Sequence, residues 1–143
     1  MPRYTGGCHC GAIRIAFESA APLAPRACQC SFCRKHNARS VSDPAGSATL
    51  TLEGEPIAYR FASRAADYIL CPGCGVYIGA MTEIGGAALV TLNLNVFDDP
   101  HPRLEAEPVS YDNETAEGKA ARRRARWTPL TVVREEAASR EHG

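Results

Sequence analysis

Seven cysteines stand in this 143-residue chain, and they are not scattered. They fall into three groups: Cys8-His9-Cys10, Cys28-Gln29-Cys30-Ser31-Phe32-Cys33 and Cys71-Pro72-Gly73-Cys74-Gly75. Inert core thiols behave as small buried hydrophobes and have no reason to cluster at such short spacings. An odd count leaves at least one cysteine outside any set of intramolecular disulfides. The opening stretch Met1-Pro2-Arg3-Tyr4-Thr5-Gly6-Gly7 lacks the apolar core of a secretory signal, which sets the expectation of a cytoplasmic protein whose thiols stay reduced. Metal ligation is the reading that accounts for the grouping, and zinc is the metal that such thiolate sets favour.

Spacing suggests how each group presents its sulfurs. Residues i and i+2 of a strand share a face, so Cys8 with Cys10, and Cys28 with Cys30, are expected one pleat apart. Cys33 follows three residues later, where a first helical turn folds it back. Cys71-Pro72-Gly73-Cys74-Gly75 reads as a zinc knuckle. Pro72 fixes φ, while Gly73 and Gly75 permit backbone angles that other residues resist. A knuckle supplies two of four tetrahedral ligands and needs a second pair. Cys8 and Cys10 complete it in one partition, leaving Cys28, Cys30 and Cys33 as a three-ligand site with an exchangeable fourth position. Cys28 and Cys30 complete it in another.

Between the cysteines the chain alternates as β-strands do. Ile13, Ile15 and Phe17 share one face of a segment from Ala12 to Glu18. Leu50 and Leu52 do the same between Thr49 and Glu53, and Ile57, Tyr59 and Phe61 line a third strand. Asp67–Leu70 leads into the knuckle, and Val76–Ala80 leads out. Ala87–Leu94 is nearly continuously apolar, as a strand buried on both faces would be. The predicted class is mainly β, built of short antiparallel strands, with one short C-terminal helix. That helix is expected from Glu114 to about Arg126, capped by Asn113, with Glu114 and Glu117 at its start and arginines at its end. A single domain over residues 1–133 is expected, followed by a flexible tail from 134 to 143. His101 and His142 read as surface residues.

Sixteen basic and sixteen acidic side chains cancel. Nothing in that balance asks for nucleic acid or an anionic membrane, and no apolar run approaches the roughly 20 residues that span a bilayer. The run Arg122-Arg123-Arg124-Ala125-Arg126 reads as a solvated helix end matched to the helix dipole.

With the three motifs in view, the chain resembles the glutathione-dependent formaldehyde-activating enzymes, the group that includes the centromere protein V proteins. Gly6-Gly7-Cys8-His9-Cys10-Gly11-Ala12-Ile13-Arg14 is similar to their opening motif. Cys28-Gln29-Cys30-Ser31-Phe32-Cys33-Arg34-Lys35 is similar to the second, and Cys71-Pro72-Gly73-Cys74-Gly75 to the third. The likeness runs from about Tyr4 to Asp99, with Gln29 where many relatives carry His. It implies an Mss4-like β fold and two zinc ions per chain. By that resemblance Cys8, Cys10, Cys71 and Cys74 hold a structural zinc, and Cys28, Cys30 and Cys33 hold a catalytic one. The implied activity is carbon–sulfur lyase chemistry on a glutathione-like thiol adduct of a small aldehyde.

Basic residues directly after the second motif are the expected substrate contacts. Arg34 and His36, with Lys35 and Arg39 behind them, would offset thiolate charge and hold the carboxylates of a thiol such as glutathione. A solvated helix face is the plainer reading of the same residues. His9 lies between two ligands and is expected to point away from them. Two other functions fit the same cysteines: a zinc-stabilised binding module without turnover, its open position closed by a side chain such as His36, and thiol–disulfide cycling at Cys28, Cys30 and Cys33.

Overall fold

The apolar alternation seen in the sequence builds the first half of the molecule. In the computed structural model, which describes residues 2–98 and 105–136, strand β1 (Arg3–Gly7) pairs antiparallel with β2 (Ile13–Glu18), and β2 with β5 (Ser47–Glu53). Ile13, Ile15 and Phe17 of β2 are buried, as are Ala48, Leu50 and Leu52 of β5. The second half is built by β3 (Arg26–Cys28), β4 (Ser40–Val41), β6 (Ile57–Tyr59), β7 (Asp67–Leu70), β8 (Tyr77–Ile84), β9 (Ala87–Asn93) and β10 (Glu107–Val109). β9 is its axis, paired to β8 along most of its length and to β4 near its end. Residues Leu89 to Asn93 are buried without interruption, as the apolar run predicts.

One strand joins the halves. β11 (Thr128–Glu135) lies against β9 through Thr128 and Pro129, then runs parallel to β5 from Leu130 to Glu135. β10 also lies parallel to β3. The sheet is therefore mixed rather than purely antiparallel. Parallel partners lie far apart in sequence and leave no hairpin signature, so local patterning does not reveal them. Arg134 and Glu135, assigned by sequence to a flexible tail, extend this strand. Residues 137–143, and with them His142, lie outside the described residues, as does His101.

The two helices are short. α1 (Ser31–Lys35) is a single turn capped by Cys30. α2 (Ala116–Arg126) starts two residues later than expected: Thr115, not Asn113, is its cap, and the Thr115 hydroxyl accepts a hydrogen bond from the Gly118 N–H at 3.0 Å. The core between the two halves collects the β2 and β5 side chains with Ile69, Ile78, Leu92, Leu94 and Val96. β1 approaches the segment after β9 so closely that a Cβ on Gly6 would stand 2.0 Å from the Val96 carbonyl oxygen; only glycine fits. At the far edge, β6 has β7 as its only sheet partner among the described residues, and Ile57 and Tyr59 stay about half exposed. No helix among the described residues is long and apolar enough to cross a membrane.

Candidate metal centres and the cavity beside one of them

The fold sorts the seven cysteines into four and three. Cys8, Cys10, Cys71 and Cys74 gather their sulfurs within 4.8 Å of one another, and so do Cys28, Cys30 and Cys33. Among the described residues no His, Asp or Glu joins either set.

Neither pair of i, i+2 cysteines sits on a pleat. β1 ends at Gly7, and Cys8–Cys10 form a turn that Gly11 completes with φ of 86°. A strand would hold alternate residues about 6.6 Å apart along the backbone. The turn brings the Cys8 and Cys10 sulfurs to 3.7 Å and the Cys10 and Cys71 sulfurs to 3.6 Å. Likewise Cys28 ends β3, but Cys30 has left the strand to cap α1. The Cys30 sulfur accepts the Cys33 N–H at 3.4 Å.

Backbone geometry holds the four-cysteine group. The Cys8 N–H donates to the Ile13 carbonyl at 2.9 Å, and the Ile13 N–H donates back to the Cys8 sulfur at 3.3 Å. In the knuckle the Gly75 N–H donates to the Cys71 carbonyl at 2.8 Å, and the Cys71 N–H to the Val76 carbonyl at 3.1 Å. Gly75 takes the expected left-handed angle, φ 80°, whereas Gly73 does not. Cys71 is 1% exposed and Cys8 8%.

Zinc fits this donor set. Zinc–sulfur bonds of about 2.3 Å put tetrahedral sulfurs about 3.8 Å apart, which matches the 3.6 and 3.7 Å observed. All seven cysteines are free, far beyond the about 2.05 Å of a disulfide. The thiols also differ in acidity. Burial pushes Cys71 up to about 12. Burial acts on Cys74 too, but hydrogen bonds from the backbone of Cys10, Val76 and His9 and from the Cys71 thiol outweigh it and hold Cys74 at about 6. In the second group a hydrogen bond from the Cys33 thiol lowers Cys28. Burial opposes that, and the Cys30 backbone and thiol and the Arg122 charge add to it, leaving Cys28 at about 5. The same shared proton, with burial, raises Cys33.

The two groups differ in what surrounds them. Cys28, Cys30 and Cys33 line a cavity of about 240 Å³; none of the other four cysteines does. Its remaining wall includes Arg26 from β3, the aromatic pair Tyr68 and Tyr77, and Arg122, Arg123 and Trp127 from α2 and its end. The expectation of a solvated arginine run is overturned at two positions. Arg122 makes two hydrogen bonds to Glu114, at 2.7 and 3.1 Å, and lies 3.6 Å over the Tyr111 ring. Arg123 is 6% exposed, its guanidinium 4.8 Å over the Trp127 ring. Arg124 and Arg126 are exposed. The run falls on both faces of one helix, so Arg123, four residues before Trp127, turns inward with it while Arg124 and Arg126 face solvent.

The basic residues singled out by sequence stand elsewhere. Cys33 faces inward from a one-turn helix, which turns Arg34 and Lys35 to solvent. The His36 ring packs 4.5 Å from Phe32 and 5.4 Å from Tyr77 and does not line the cavity. Arg39 donates to Asn95 at 2.7 Å. His9 is exposed, pointing away from the sulfurs between which it stands. The residues that sequence reasoning missed are Arg26, Arg123 and Trp127. Arg26 carried one signal: it precedes Cys28 by two residues and so shares its side of β3.

A crystal structure of a Rhodobacter sphaeroides protein superimposes with a TM-score of 0.61 at 27% identity, covering 73% of this chain and 99% of that one. The sequence model of the glutathione-dependent formaldehyde-activating enzyme family matches residues 3–113, which contain all seven cysteines and end just before α2. The chain belongs to the glutathione-dependent formaldehyde-activating enzyme family.

Proposed function

We propose that the chain is a zinc-dependent carbon–sulfur lyase that joins or releases a small aldehyde on a glutathione-like thiol, in the cytoplasm. One observation carries this reading: of the two cysteine groups, the three-ligand one lines a cavity and the four-ligand one does not. In this reading Cys8, Cys10, Cys71 and Cys74 hold a structural zinc, and Cys28, Cys30 and Cys33 hold the second. A zinc ion on three thiolates is a weak Lewis acid whose chief service is to lower the pKa of an incoming thiol from about 8.5 and keep it ionised.

The protein's own groups supply the rest. When the carbon–sulfur bond forms, the thiolate sulfur donates its electron pair to the aldehyde carbon. The carbonyl π pair moves to oxygen, which takes up the equivalent of the proton the thiol lost on ionising; the reverse reaction breaks the same bond and returns that proton to the thiol. Tyr68 and Tyr77 line the cavity as protonated hydroxyls, since burial pushes Tyr68 up to about 12 and Tyr77 well above its ordinary value. They are the hydrogen-bond donors at hand for the aldehyde oxygen. The binding-module alternative needs a side chain to close the fourth position. No fourth ligand atom joins the three thiols among the described residues, and His36, the candidate for closing it, is turned to Phe32 and Tyr77.

Elemental analysis of protein purified under reducing conditions should find two zinc ions per chain, with a zinc-reconstituted control for the open site. In the cobalt-substituted protein, glutathione should change the absorption as a new sulfur enters the coordination sphere. A spectrum unmoved by glutathione and by several simple thiols rejects thiol activation.

A further inference from the structure

The cavity wall carries two arginines, Arg123 and Arg26, that have no ion-pair partner among the described residues. Arg123 is 6% exposed, and its Nε has no hydrogen-bond partner. Buried polar groups in native proteins are almost always paired, and an unpaired buried charge is costly. Arg26, half buried beside the cysteines, donates to the hydroxyls of Ser42 at 2.7 Å and Thr91 at 3.4 Å. No salt bridge among the described residues includes either arginine. Two carboxylates line the cavity: Glu114 is committed to Arg122, and Asp112 is exposed.

We propose that Arg123, with Arg26, forms a carboxylate-binding subsite, so that the molecule worked on at the three-cysteine centre is a small carboxylate-bearing thiol–aldehyde adduct. A planar guanidinium presents paired N–H donors that match a carboxylate, and Arg123 and Arg26 both line the cavity. Neutralising the cysteine thiolates is the competing explanation for the arginines. It fits Arg122, whose charge acts on Cys28. It does not account for Arg123, whose field is felt by Tyr68 and Glu114 instead. The cavity, at about 240 Å³, is smaller than the roughly 300–1,000 Å³ that holds a drug-sized ligand. The carboxylate therefore belongs to a small component, either a compact thiol or the aldehyde. Arg26 lies within the residues that the family model matches and Arg123 beyond them, so the subsite draws one of its arginines from the C-terminal segment.

The inference rests on the proposed lyase reading for the chemistry at the metal, but the subsite can be tested apart from it. Trp127 is the only tryptophan and lines the cavity, so its fluorescence reports occupancy. The zinc-loaded full chain is titrated with 3-mercaptopropionate against 3-mercaptopropionamide, and with glyoxylate against glycolaldehyde. At least one acid should bind roughly ten- to a hundred-fold tighter than its neutral counterpart, as expected for a hydrogen bond to a charged group. The pair that shows the preference assigns the carboxylate to the thiol or to the aldehyde. Arg123→Gln should abolish the preference of the acids over their neutral counterparts; should that variant lose its cooperative unfolding transition, Arg26→Gln takes its place. Acids that bind no tighter than their neutral counterparts, or a preference that survives the substitution, overturn the proposal. Cobalt absorption reads the thiol chemistry separately: an acid preference with no thiol entering the metal's coordination sphere keeps the subsite and rejects the lyase.

Discussion

Replacing Cys74 by serine should unfold this protein, whereas replacing Cys33 should not, and the difference follows from what each group ties together. The four-cysteine group joins the turn after β1 to the turn between β7 and β8, with Cys10 and Cys71 61 residues apart. Closing a flexible loop costs about (3/2)RT ln n, roughly 3.6 kcal/mol for 61 residues and about 1.4 kcal/mol for the five from Cys28 to Cys33. A bound metal holds the longer loop closed, so about 2 kcal/mol more chain entropy hangs on that site. The binding free energy of a structural zinc, on the order of 10 kcal/mol, is comparable to the whole net stability of a domain, about 5–15 kcal/mol. Cys74→Ser therefore removes most of the margin and leaves the 1%-exposed Cys71 without the charge it was built to meet. Cys33→Ser costs one zinc and any thiol response. It disturbs a small cluster with Ala38 and Tyr77, and a cooperative thermal transition should remain. Soluble yield, zinc per chain and thermal unfolding of both variants form the assay. A folded Cys74→Ser retaining one zinc, beside a collapsed Cys33→Ser, would refute the assignment of the two sites.

Other substitutions probe the frame around the centres. Gly6→Ala drives a Cβ into the Val96 carbonyl and should lower stability by about 1–3 kcal/mol, read by denaturant unfolding; an unchanged midpoint would mean β1 can move aside. Thr115→Ala removes the α2 cap and should cost about 1 kcal/mol, with Trp127 fluorescence following the loosening of the cavity wall. The hydrogen bonds from Arg122 hold the Glu114 carboxyl below its ordinary value, against opposing burial. A lowered folded-state pKa contributes stability that is present above the unfolded value of about 4.3 and is lost as pH falls through the folded one. The melting temperature of the parent protein should accordingly fall more steeply below about pH 4.3 than that of Glu114→Gln; parallel profiles would mean that this pair adds nothing.

The cysteine clustering makes metal ligation legible in the sequence, because ligand spacing is local and chemically specific, but spacing alone left two partitions open, and the fold decides for Cys8, Cys10, Cys71 and Cys74 together. β2 and β5 were legible for a related reason: each buries one face, and Ile13, Ile15, Phe17, Leu50 and Leu52 mark it. β11 was not. It carries Arg134 and Glu135 at its end and exposes most of its side chains, and its burial comes from partners remote in sequence. Arg123 was misread for the same reason. In isolation an arginine among arginines looks solvated, and only the position of Trp127 against Ala66, Ala80 and Leu89 draws that face of α2 inward. The cysteine turns were misplaced on strands because i, i+2 spacing fits both, and in the fold it is a turn that brings the Cys8 and Cys10 sulfurs together.

The strand that joins the two halves of the sheet also fixes an order of assembly. A ribosome delivers about 5–20 residues per second, so β11 reaches its parallel partner β5 on the order of ten seconds after β5 is made. Until then β5 and β9 each keep a bare edge, the kind that invites pairing with another chain. All four cysteines of the closed group have emerged by residue 74. A metal captured there staples the early half of the protein while it waits. The cavity arrives later, because α2 and Trp127 lead directly into β11. With a metal bound at the four cysteines, the chain would gain that staple first and its cavity last, so a chain stalled in between has Cys28, Cys30 and Cys33 without the α2 arginines that line the cavity with them.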